Sequence, residues 1–326
     1  MGYGYEGGRS GGVHLIIPRC NILVRLQVIR PFDPWRSPLC TCPRKYSLHP
    51  YTGCSHFCLY CYATSYIGRR PSQPKKEFLR RLSRDLRRIK PELVIELSTS
   101  SDPYPPIERW MLLTRKTLEM LASMRFKILI TTKSDLVKRD SDLLLRTPSA
   151  VMITITTLDN RLSRRLEPGA PPPEKRLEAL RELSKKGVPV GARIDPVIPG
   201  LNDDPYMLEK LVGKIRDNGG RHIVTSTYKA RPDNLSRMTQ AFPELGSYWY
   251  RLYVKEGKRL HGYLYLREEL RKQLLKPIIK ASLSLGLTIA TCREGLGPNY
   301  FRAPSCDGTH LIRYHPANTE NRGEIK

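Results

Sequence analysis

Short apolar runs alternate with amphipathic stretches along the middle of this 326-residue chain. Apolar runs of strand length that alternate with helices are typical of a parallel sheet whose faces are covered by helices. The sequence therefore predicts one large α/β domain with appendages. The predicted strands are Leu93–Ser98, Phe126–Thr131, Val151–Thr156, Val188–Ile194 and His222–Thr225. The predicted helices are Ser72–Arg88, Leu112–Ser123, Ser141–Arg146, Glu174–Lys186 and Asp204–Asp217.

Hydroxyl and charged side chains follow several of these apolar runs. The first run leads into Ser98–Asp102, the second into Thr131–Lys133 and the third into Thr154–Asp159. In barrels of parallel strands the reactive residues collect at the carboxyl ends of the strands. These polar segments are therefore expected to meet at one edge of the sheet and to build a site there.

Cys54, Cys58 and Cys61 form a compact cluster in the segment Cys-Ser-His-Phe-Cys-Leu-Tyr-Cys. Three thiolates this close together can hold three irons of a cubane and leave the fourth iron without a protein ligand. Structural zinc and iron–sulfur sites usually have four protein ligands, so an open position predicts a reactive site. A zinc knuckle, or a fragment of a four-cysteine site, is the alternative.

The residues around the cysteines carry a family resemblance. Tyr-Ser-Leu-His-Pro-Tyr-Thr-Gly ends at Gly53, before the cysteines, and Tyr-Ala-Thr-Ser-Tyr-Ile begins at Tyr62, after them. With the Cys-x3-Cys-x2-Cys spacing, this pattern resembles the radical SAM superfamily, in the branch related to spore photoproduct lyase that is often labelled DNA repair photolyase-like. Further segments occur in the order that this branch uses: Ser100–Glu108, Thr131–Ser134, Glu167-Pro168 and Pro196–Gly200.

The resemblance implies a fold and a division of the chain. The fold would be a partial (β/α)6 TIM-type barrel with N- and C-terminal extensions. Residues 1–45 would form an N-terminal extension with possible strands and a Cys-x-Cys motif. Residues 46–228 would form the radical SAM partial barrel, and residues 229–326 a basic, aromatic-rich helical extension.

The resemblance also implies the cofactors. Cys54, Cys58 and Cys61 would hold a [4Fe-4S] cluster whose open iron binds the amino and carboxylate groups of S-adenosyl-L-methionine (SAM). The electron of the cluster would then release a 5′-deoxyadenosyl radical, so the cofactor supplies the chemistry and the protein orients it. An electron donor such as ferredoxin or flavodoxin is implied as a partner.

Several polar residues stand where relatives contact SAM. The segment from Ser98 to Asp102 would face the SAM ammonium; Ser101 and Asp102 also suit a helix cap, and both roles can hold at once. Thr154 and Thr156 would offer strand-end hydroxyls, and Lys133 and Arg193 would meet the SAM carboxylate. The candidate cofactor-binding residues are Ser98, Thr99, Ser100, Ser101, Asp102, Lys133, Thr154, Thr156 and Arg193.

Tyr60 and Tyr62 are the candidate catalytic residues, because tyrosines at these positions are implicated in hydrogen-atom relay in the photoproduct lyase relatives. Packing against adenine is the alternative role. The lyase also carries a cysteine before one strand end, but the corresponding stretch Thr147–Met152 contains none. A different hydrogen donor, or a different reaction, is therefore expected.

Four further cysteines lie in two distant segments. Cys40 and Cys42 form a Cys-x-Cys motif before the predicted barrel, and Cys292 and Cys306 lie near the end of the chain. Together they predict a second metal centre, either an auxiliary iron–sulfur cluster or zinc. Unligated thiols packed like small apolar residues are the alternative, and Cys20 is left over.

The chain is strongly basic, with 56 Lys and Arg against 31 Asp and Glu, a net charge of +25. Such a field concentrates polyanions, so tRNA or DNA is the predicted partner, although scattered charge can also be only a solvated face. Cations and aromatic rings interleave between residues 229 and 285. These side chains can stack on bases and hold phosphates, or they can pack on the barrel.

No signal peptide or membrane span is recognisable, and an oxygen-sensitive cluster fits a cytoplasmic protein whose cysteines are not in disulfides. The sequence thus predicts a radical SAM enzyme that takes hydrogen from a nucleic acid, in RNA modification or DNA repair. One alternative is the same chemistry on a protein or a small metabolite. Another is a non-catalytic iron–sulfur protein that binds nucleic acid.

Overall fold

The computed structural model describes residues 26–32, 37, 39–97 and 99–312. The possible strands before residue 26, the candidate Ser98 and the leftover Cys20 therefore lie outside the described residues. The strands are β1 (Ile29–Pro31), β2 (Lys45–Leu48), β3 (Tyr51–Thr52), β4 (Gln73–Pro74), β5 (Val94–Leu97), β6 (Ile128–Thr132), β7 (Ser149–Thr154), β8 (Val190–Val197), β9 (His222–Thr227), β10 (Lys258–Leu260), β11 (Tyr263–Tyr265), β12 (Thr288–Thr291) and β13 (Phe301–Arg302).

The helices lie mainly between the strands of the large sheet. They are α1 (Thr64–Ile67), α2 (Phe78–Leu86), α3 (Glu108–Met111), α4 (Leu113–Ser123), α5 (Ser141–Leu145), α6 (Asn160–Leu166), α7 (Pro173–Lys185), α8 (Pro205–Asp217), α9 (Pro232–Ala241), α10 (Gly246–Trp249) and α11 (Glu268–Ser284). Short 3-10 turns cover Asp135–Asp140, Pro243–Leu245, Pro298–Tyr300 and Thr309–Leu311, and a π-helical turn covers Tyr250–Lys255.

One large sheet has the strand order β1-β2-β5-β6-β7-β8-β9-β12-β13. Every pairing from β2 to β12 is parallel, whereas β1 and β13 add antiparallel edges at its two ends. Each predicted strand overlaps an observed one, so the prediction of a partial barrel of parallel strands covered by helices is confirmed. The first strand of that barrel, β2, had not been recognised in the sequence.

The predicted helix Ser72–Arg88 is wrong over its first part. Gln73–Pro74 forms β4 and pairs with Tyr51–Thr52, and the helix begins only at Phe78. Pro71 and Pro74 have no backbone N–H, so they favour an extended segment over a helix interior.

The expectation of a purely helical segment after residue 228 needs correction. Thr288–Thr291 continues the parallel run beside β9, and Phe301–Arg302 forms the antiparallel edge. The 3-10 turn Thr309–Leu311 then enters the lower part of the barrel, where Leu311 packs against Leu129 and Met152. Residues 288–311 therefore extend the barrel sheet and fill part of its interior.

The core has two parts because successive strand residues face opposite sides. Side chains such as Ile128 and Ile130 face outward and are completely buried under the helices. Leu129 lies between them and faces the barrel interior.

Among the helices of the described ranges, none combines the length and apolar character that a bilayer span requires.

The aromatic residues between 229 and 285 mostly pack into the fold. Trp249 and Tyr253 are completely buried. The indole of Trp249 donates to the Pro199 carbonyl at 2.9 Å, and the Tyr253 hydroxyl donates to the Tyr228 carbonyl at 2.9 Å. For these two rings the packing alternative is correct, and they are not available to stack on bases.

Candidate active site

A cavity of about 410 Å³ opens at the carboxyl ends of the parallel strands. Its size lies within the range of small-molecule sites. Thr156 is outside its lining, and Cys306 reaches the lining only through Cys42. The predicted site residues that do line it are Cys40, Cys42, Cys54, Cys58, Tyr60, Cys61, Tyr62, Thr99, Ser100, Ser101, Asp102, Lys133, Thr154, Arg193 and Cys292.

The three-cysteine loop is held in place by backbone hydrogen bonds to residues 166–169. The amide of Leu59 donates to the Leu166 carbonyl at 2.8 Å, and the Gly169 amide donates to the His56 carbonyl at 3.0 Å. A Cβ on Gly169 would lie 1.9 Å from the Ser55 carbonyl oxygen, so only glycine permits this approach. The Glu-Pro-Gly motif thus fixes the shape of the cysteine loop.

The thiols of this loop are free of disulfides. Burial raises the pKa of Cys54 to about 11 and that of Cys58 well above its ordinary value. A metal must therefore displace the thiol protons when it binds. Within the part of the chain that the structure describes, no three His, Cys, Asp or Glu side chains converge as tightly as a single metal ion requires. Three free thiols on one loop, beside a cavity of ligand size, are a donor set that fits a three-ligand cluster.

Asp102 ties the cysteine loop to the end of β6. Its carboxylate accepts hydrogen bonds from the Thr132 hydroxyl at 2.7 Å and the Lys133 amide at 2.8 Å, and it lies 3.1 Å from His56 Nε2. Burial alone would raise the pKa of Asp102, but His56 and these donors lower it to about 2. The carboxylate is therefore ionised and already engaged within the protein, and the oxygen that accepts from the Thr132 hydroxyl also accepts from the Tyr104 amide at 2.9 Å.

The hydroxyls before Asp102 are arranged around His49. His49 Nε2 lies 3.1 Å from the Thr99 hydroxyl and 3.5 Å from the Ser100 hydroxyl. The Ser101 hydroxyl donates to the Tyr51 carbonyl at 3.2 Å. Thr99 and Ser100 thus remain the members of this segment best suited to accept hydrogen bonds from a bound ammonium group.

Tyr60 lines the cavity while its hydroxyl donates to the buried Glu167. Glu167 in turn pairs with Arg176 at 2.5 Å and accepts from the Thr156 hydroxyl at 3.2 Å. Thr156 therefore stabilises this network and does not line the cavity. Lys133 Nζ lies 5.6 Å from the centre of the Tyr60 ring, and burial opposes its charge while Cys58 and Glu167 raise its pKa.

Arg193 projects from β8 into the cavity beside Asp195. One guanidinium nitrogen lies 2.5 Å from the Asp195 carboxylate, which also accepts from the Ser226 hydroxyl at 2.5 Å. Burial would lower the pKa of Arg193, but Asp195 keeps the guanidinium charged. Arginine has five N–H donors, so Arg193 retains donors for a further carboxylate.

The ring of Tyr62, the second tyrosine of the motif, makes a cation–π contact with Arg293. The Arg293 guanidinium lies 4.9 Å from the centre of the Tyr62 ring and 4.9 Å from that of Tyr263. The two rings meet edge to face, with centroids 5.6 Å apart. Burial raises the pKa of Tyr62, and Arg293 opposes that rise. The cysteine loop is thereby joined to the hairpin formed by β10 and β11.

A model of the radical SAM superfamily matches residues 48–212. The chain belongs to the radical SAM superfamily. An uncharacterised protein of Methanocaldococcus jannaschii is 34% identical over 194 residues, which cover 57% of this chain and 71% of that protein. The radical SAM Nα-GlyT isomerase of Pseudomonas phage M6 is 24% identical over 259 residues, or 75% of this chain and 53% of that protein.

Solved structures of spore photoproduct lyase share the fold of this radical SAM enzyme. A variant with a dinucleoside spore photoproduct has a TM-score of 0.58 and 17% identity, and covers 76% of this chain and 75% of its own. Another variant, with bound AdoMet and the same dinucleoside, has a TM-score of 0.58 and covers 76% of each chain. Membership of the superfamily implies a [4Fe-4S] cluster and SAM, and the three-cysteine loop is the matching donor set.

The four cysteines of the predicted second metal centre lie near one another in this radical SAM enzyme. The thiol of Cys306 lies 3.2 Å from that of Cys42. Cys40 forms a hydrogen bond with Cys42, and Cys292 interacts electrostatically with Cys42 and Cys306. Nearby, the Lys45 ammonium lies 2.7 Å from Glu96 and also pairs with Asp307.

Sequence reasoning missed several residues that line the cavity. Their signals were present, because His56 lies within the cysteine loop and Asp195 and Arg293 lie beside named candidates. Glu167, which the sequence places in one of the segments shared with the family, is bonded within the protein. The lining residues that were not predicted include Lys45, His56, Glu96, Asp195, Ser226, Lys229, Arg293 and Asp307.

Proposed function

We propose that this radical SAM enzyme abstracts a hydrogen atom from a nucleic-acid substrate, in RNA modification or DNA repair. With its cluster and SAM bound, the site would supply a 5′-deoxyadenosyl radical. The observation that carries the nucleic-acid part is the stack of Tyr62, Arg293 and Tyr263, because it joins the cysteine loop directly to a basic hairpin.

The hairpin presents cations to solvent. Lys258, Arg259 and His261 are exposed on β10 and at the turn, whereas Tyr263 is buried against Tyr62. Exposed cations next to a site bind phosphates, and a net charge of +25 attracts polyanions over longer distances. The name of one similar structure supports this proposal, since it is a lyase solved with a dinucleoside.

Within the proposed site the residues divide into groups. Cys54, Cys58 and Cys61 would hold the cluster. Thr99 and Ser100 would accept from the SAM ammonium, and the remaining candidates of that segment would support them. Lys133 and Arg193 would bind the SAM carboxylate, with Thr154 at the strand end between them.

The two tyrosines, Tyr60 and Tyr62, have different roles in this proposal. The Tyr60 hydroxyl is engaged by Glu167, which favours a packing role for its ring. Tyr62 lies beside Arg293 at the hairpin and is the better candidate for contact with substrate or for hydrogen transfer. An electron donor such as ferredoxin or flavodoxin and a cytoplasmic location complete the proposal.

The test begins with the oxygen-free, reconstituted and reduced protein. Incubation with SAM is expected to yield 5′-deoxyadenosine, and Cys58→Ala is expected to abolish it. The nucleic acid that co-purifies with the protein would then be identified, and its nucleosides compared by mass in cells with and without the gene. A changed nucleoside supports the proposal.

Two outcomes contradict it in different ways. A reconstituted protein with a full cluster but no 5′-deoxyadenosine would be a non-catalytic iron–sulfur protein. A protein that cleaves SAM, but whose binding to tRNA and duplex DNA is undetectable even at low salt, would act on a protein or a small metabolite instead, because phosphate contacts strengthen steeply as salt falls.

A further inference from the structure

We propose that Cys40, Cys42, Cys292 and Cys306 bind a second metal centre that clasps the two ends of the open barrel sheet. The observation behind this proposal is where these residues lie in the fold. The chain brings two segments that are far apart in sequence to opposite sides of the same opening. Cys40 and Cys42 lie on one of these segments, and Cys292 and Cys306 lie on the other.

The large sheet does not close on itself. Its parallel run begins with β2 (Lys45–Leu48) and ends with β12 (Thr288–Thr291). Cys40 and Cys42 lie just before β2, Cys292 follows β12 directly, and Cys306 follows β13. The Cys42 and Cys306 thiols therefore meet across the seam between the first and last parallel strands, where backbone hydrogen bonds do not join the sheet.

The separation of two of the thiols is close to that of two thiolates bound to one metal ion. Cys42 Sγ and Cys306 Sγ lie 3.2 Å apart, and both side chains are free of a disulfide. A disulfide would need about 2.05 Å. Two thiolates on one tetrahedral zinc, each about 2.3 Å from the metal, lie slightly farther apart than this pair. Cys40 and Cys292 adjoin the pair and would move toward it when a metal binds.

The charges around the thiols suit a bound metal with four thiolates. Such a centre carries net negative charge, and Lys45 supplies a buried ammonium group beside Cys42. Lys45 also links Glu96 on β5 with Asp307 beside Cys306, so it crosses the same seam. Four thiolates complete the ligand shell of a structural zinc or of an iron–sulfur cluster.

The segment that carries Cys306 is fixed before any metal binds. Asp307 accepts from the Thr309 amide at 3.0 Å, and His222 on β9 lies 3.4 Å from the Cys306 carbonyl oxygen. His222 also stacks edge to face on His310, with ring centroids 4.6 Å apart. One half of the proposed site is therefore preorganised, which lowers the entropy cost of binding.

This centre goes beyond the proposed function, because it shares no ligand with the three-cysteine loop. Both sets face one cavity, since Cys40, Cys42 and Cys292 line it together with Cys54, Cys58 and Cys61. A substrate in that cavity would lie between the two centres. The separate ligand sets allow each centre to be removed while the other stays.

The experiment counts iron, sulfide and zinc per chain after anaerobic purification and reconstitution. We expect the triple variant Cys54→Ala, Cys58→Ala, Cys61→Ala to lose 5′-deoxyadenosine formation and to keep the second metal. We expect the quadruple variant Cys40→Ser, Cys42→Ser, Cys292→Ser, Cys306→Ser to keep one cubane and to lose the remaining iron or all zinc. Cys20→Ala is the single-cysteine control and should retain both metals.

Zinc in the triple variant identifies a zinc site, and iron with sulfide identifies an iron–sulfur cluster. Either result supports the proposal. One cubane in the wild type, with no metal in the triple variant, would overturn it even if SAM cleavage is normal. Mass spectrometry of alkylated, unreduced protein that finds a disulfide between Cys42 and Cys306 would also overturn it. The single variant Cys292→Ser serves if the quadruple variant does not fold, and it should lower the content of the second metal alone.

Discussion

His49 shows how burial makes a single residue sensitive to pH. It lies where β2 leads toward the cysteine loop, with Nε2 3.1 Å from the Thr99 hydroxyl. Burial, helped by Lys75, lowers the pKa of His49 from 6.5 to about 4. The neutral imidazole is therefore the form that supports the hydroxyls of the proposed SAM site.

The unfolded chain binds a proton on His49 near pH 6.5, and the folded protein binds it only near pH 4. The contribution of this residue to stability is therefore fully present above pH 6.5 and is lost as the pH falls toward 4. We expect His49→Asn to remove about 3 kcal/mol of this pH dependence. Urea unfolding of both proteins between pH 4 and 7 measures the difference. Equal pH profiles for the two proteins would show that His49 does not carry this dependence.

At the scale of elements, the cysteine loop depends on its backbone hydrogen bonds to residues 166–169. Gly169→Ala would place a Cβ 1.9 Å from the Ser55 carbonyl oxygen, and backbone cannot move aside as a side chain can. We expect this variant to lose about 1–3 kcal/mol of stability and most of its cluster. Iron content and thermal unfolding measure the two effects.

Gly213→Ala is the matched control for that change. A Cβ on Gly213, within α8, meets nothing within 4 Å. Alanine favours a helix over glycine by about 1 kcal/mol, so this variant should be slightly more stable than the wild type and should keep its cluster. Equal cluster loss in both variants would show that the loop is not held by Gly169.

The hairpin of β10 and β11 is the element proposed to bind phosphates. We expect the double variant Lys258→Glu, Arg259→Glu to weaken binding to tRNA or duplex DNA. The slope of log affinity against log salt should fall by about 1–2, because up to two phosphate contacts are lost. The control pair Lys185→Glu with Lys214→Glu makes the same charge change in the last turns of helices α7 and α8. Equal weakening by both pairs would indicate general charge attraction and would contradict a specific role for the hairpin.

At the scale of the whole molecule, Lys45 joins the two ends of the sheet. Its ammonium lies between Glu96 on β5 and Asp307 near the end of the chain, and all three side chains are buried. Burial opposes the charge of Lys45, but Glu96, Cys42 and Asp307 raise its pKa. The seam of the barrel is therefore held by an ion pair as well as by the proposed metal.

Removing this ammonium leaves two carboxylates buried together. We expect Lys45→Met to cost about 3–5 kcal/mol in the free energy of unfolding. Adding Glu96→Gln and Asp307→Asn should restore part of the loss, because neither neutral side chain needs a counter-charge. Chemical denaturation measures both, and Lys90→Met, at an exposed position, is the control with little effect. A Lys45→Met protein as stable as the control would show that the seam does not depend on this pair.

The sequence alone determined those features that depend on neighbours along the chain. The spacing of Cys54, Cys58 and Cys61 and its flanking residues indicated the superfamily. The alternation of apolar runs and amphipathic stretches predicted the strands β5 to β9 and their helices. Both signals are local, because a loop motif and a strand period each span only a few residues.

The tertiary structure decided what depends on residues far apart in the chain. It placed Thr156 outside the cavity lining, buried Trp249 and Tyr253, and made β12 part of the barrel. It also brought Cys42 to Cys306, which are 264 positions apart. Composition shows that such residues exist, but only the closure of the chain around one core decides which of them meet.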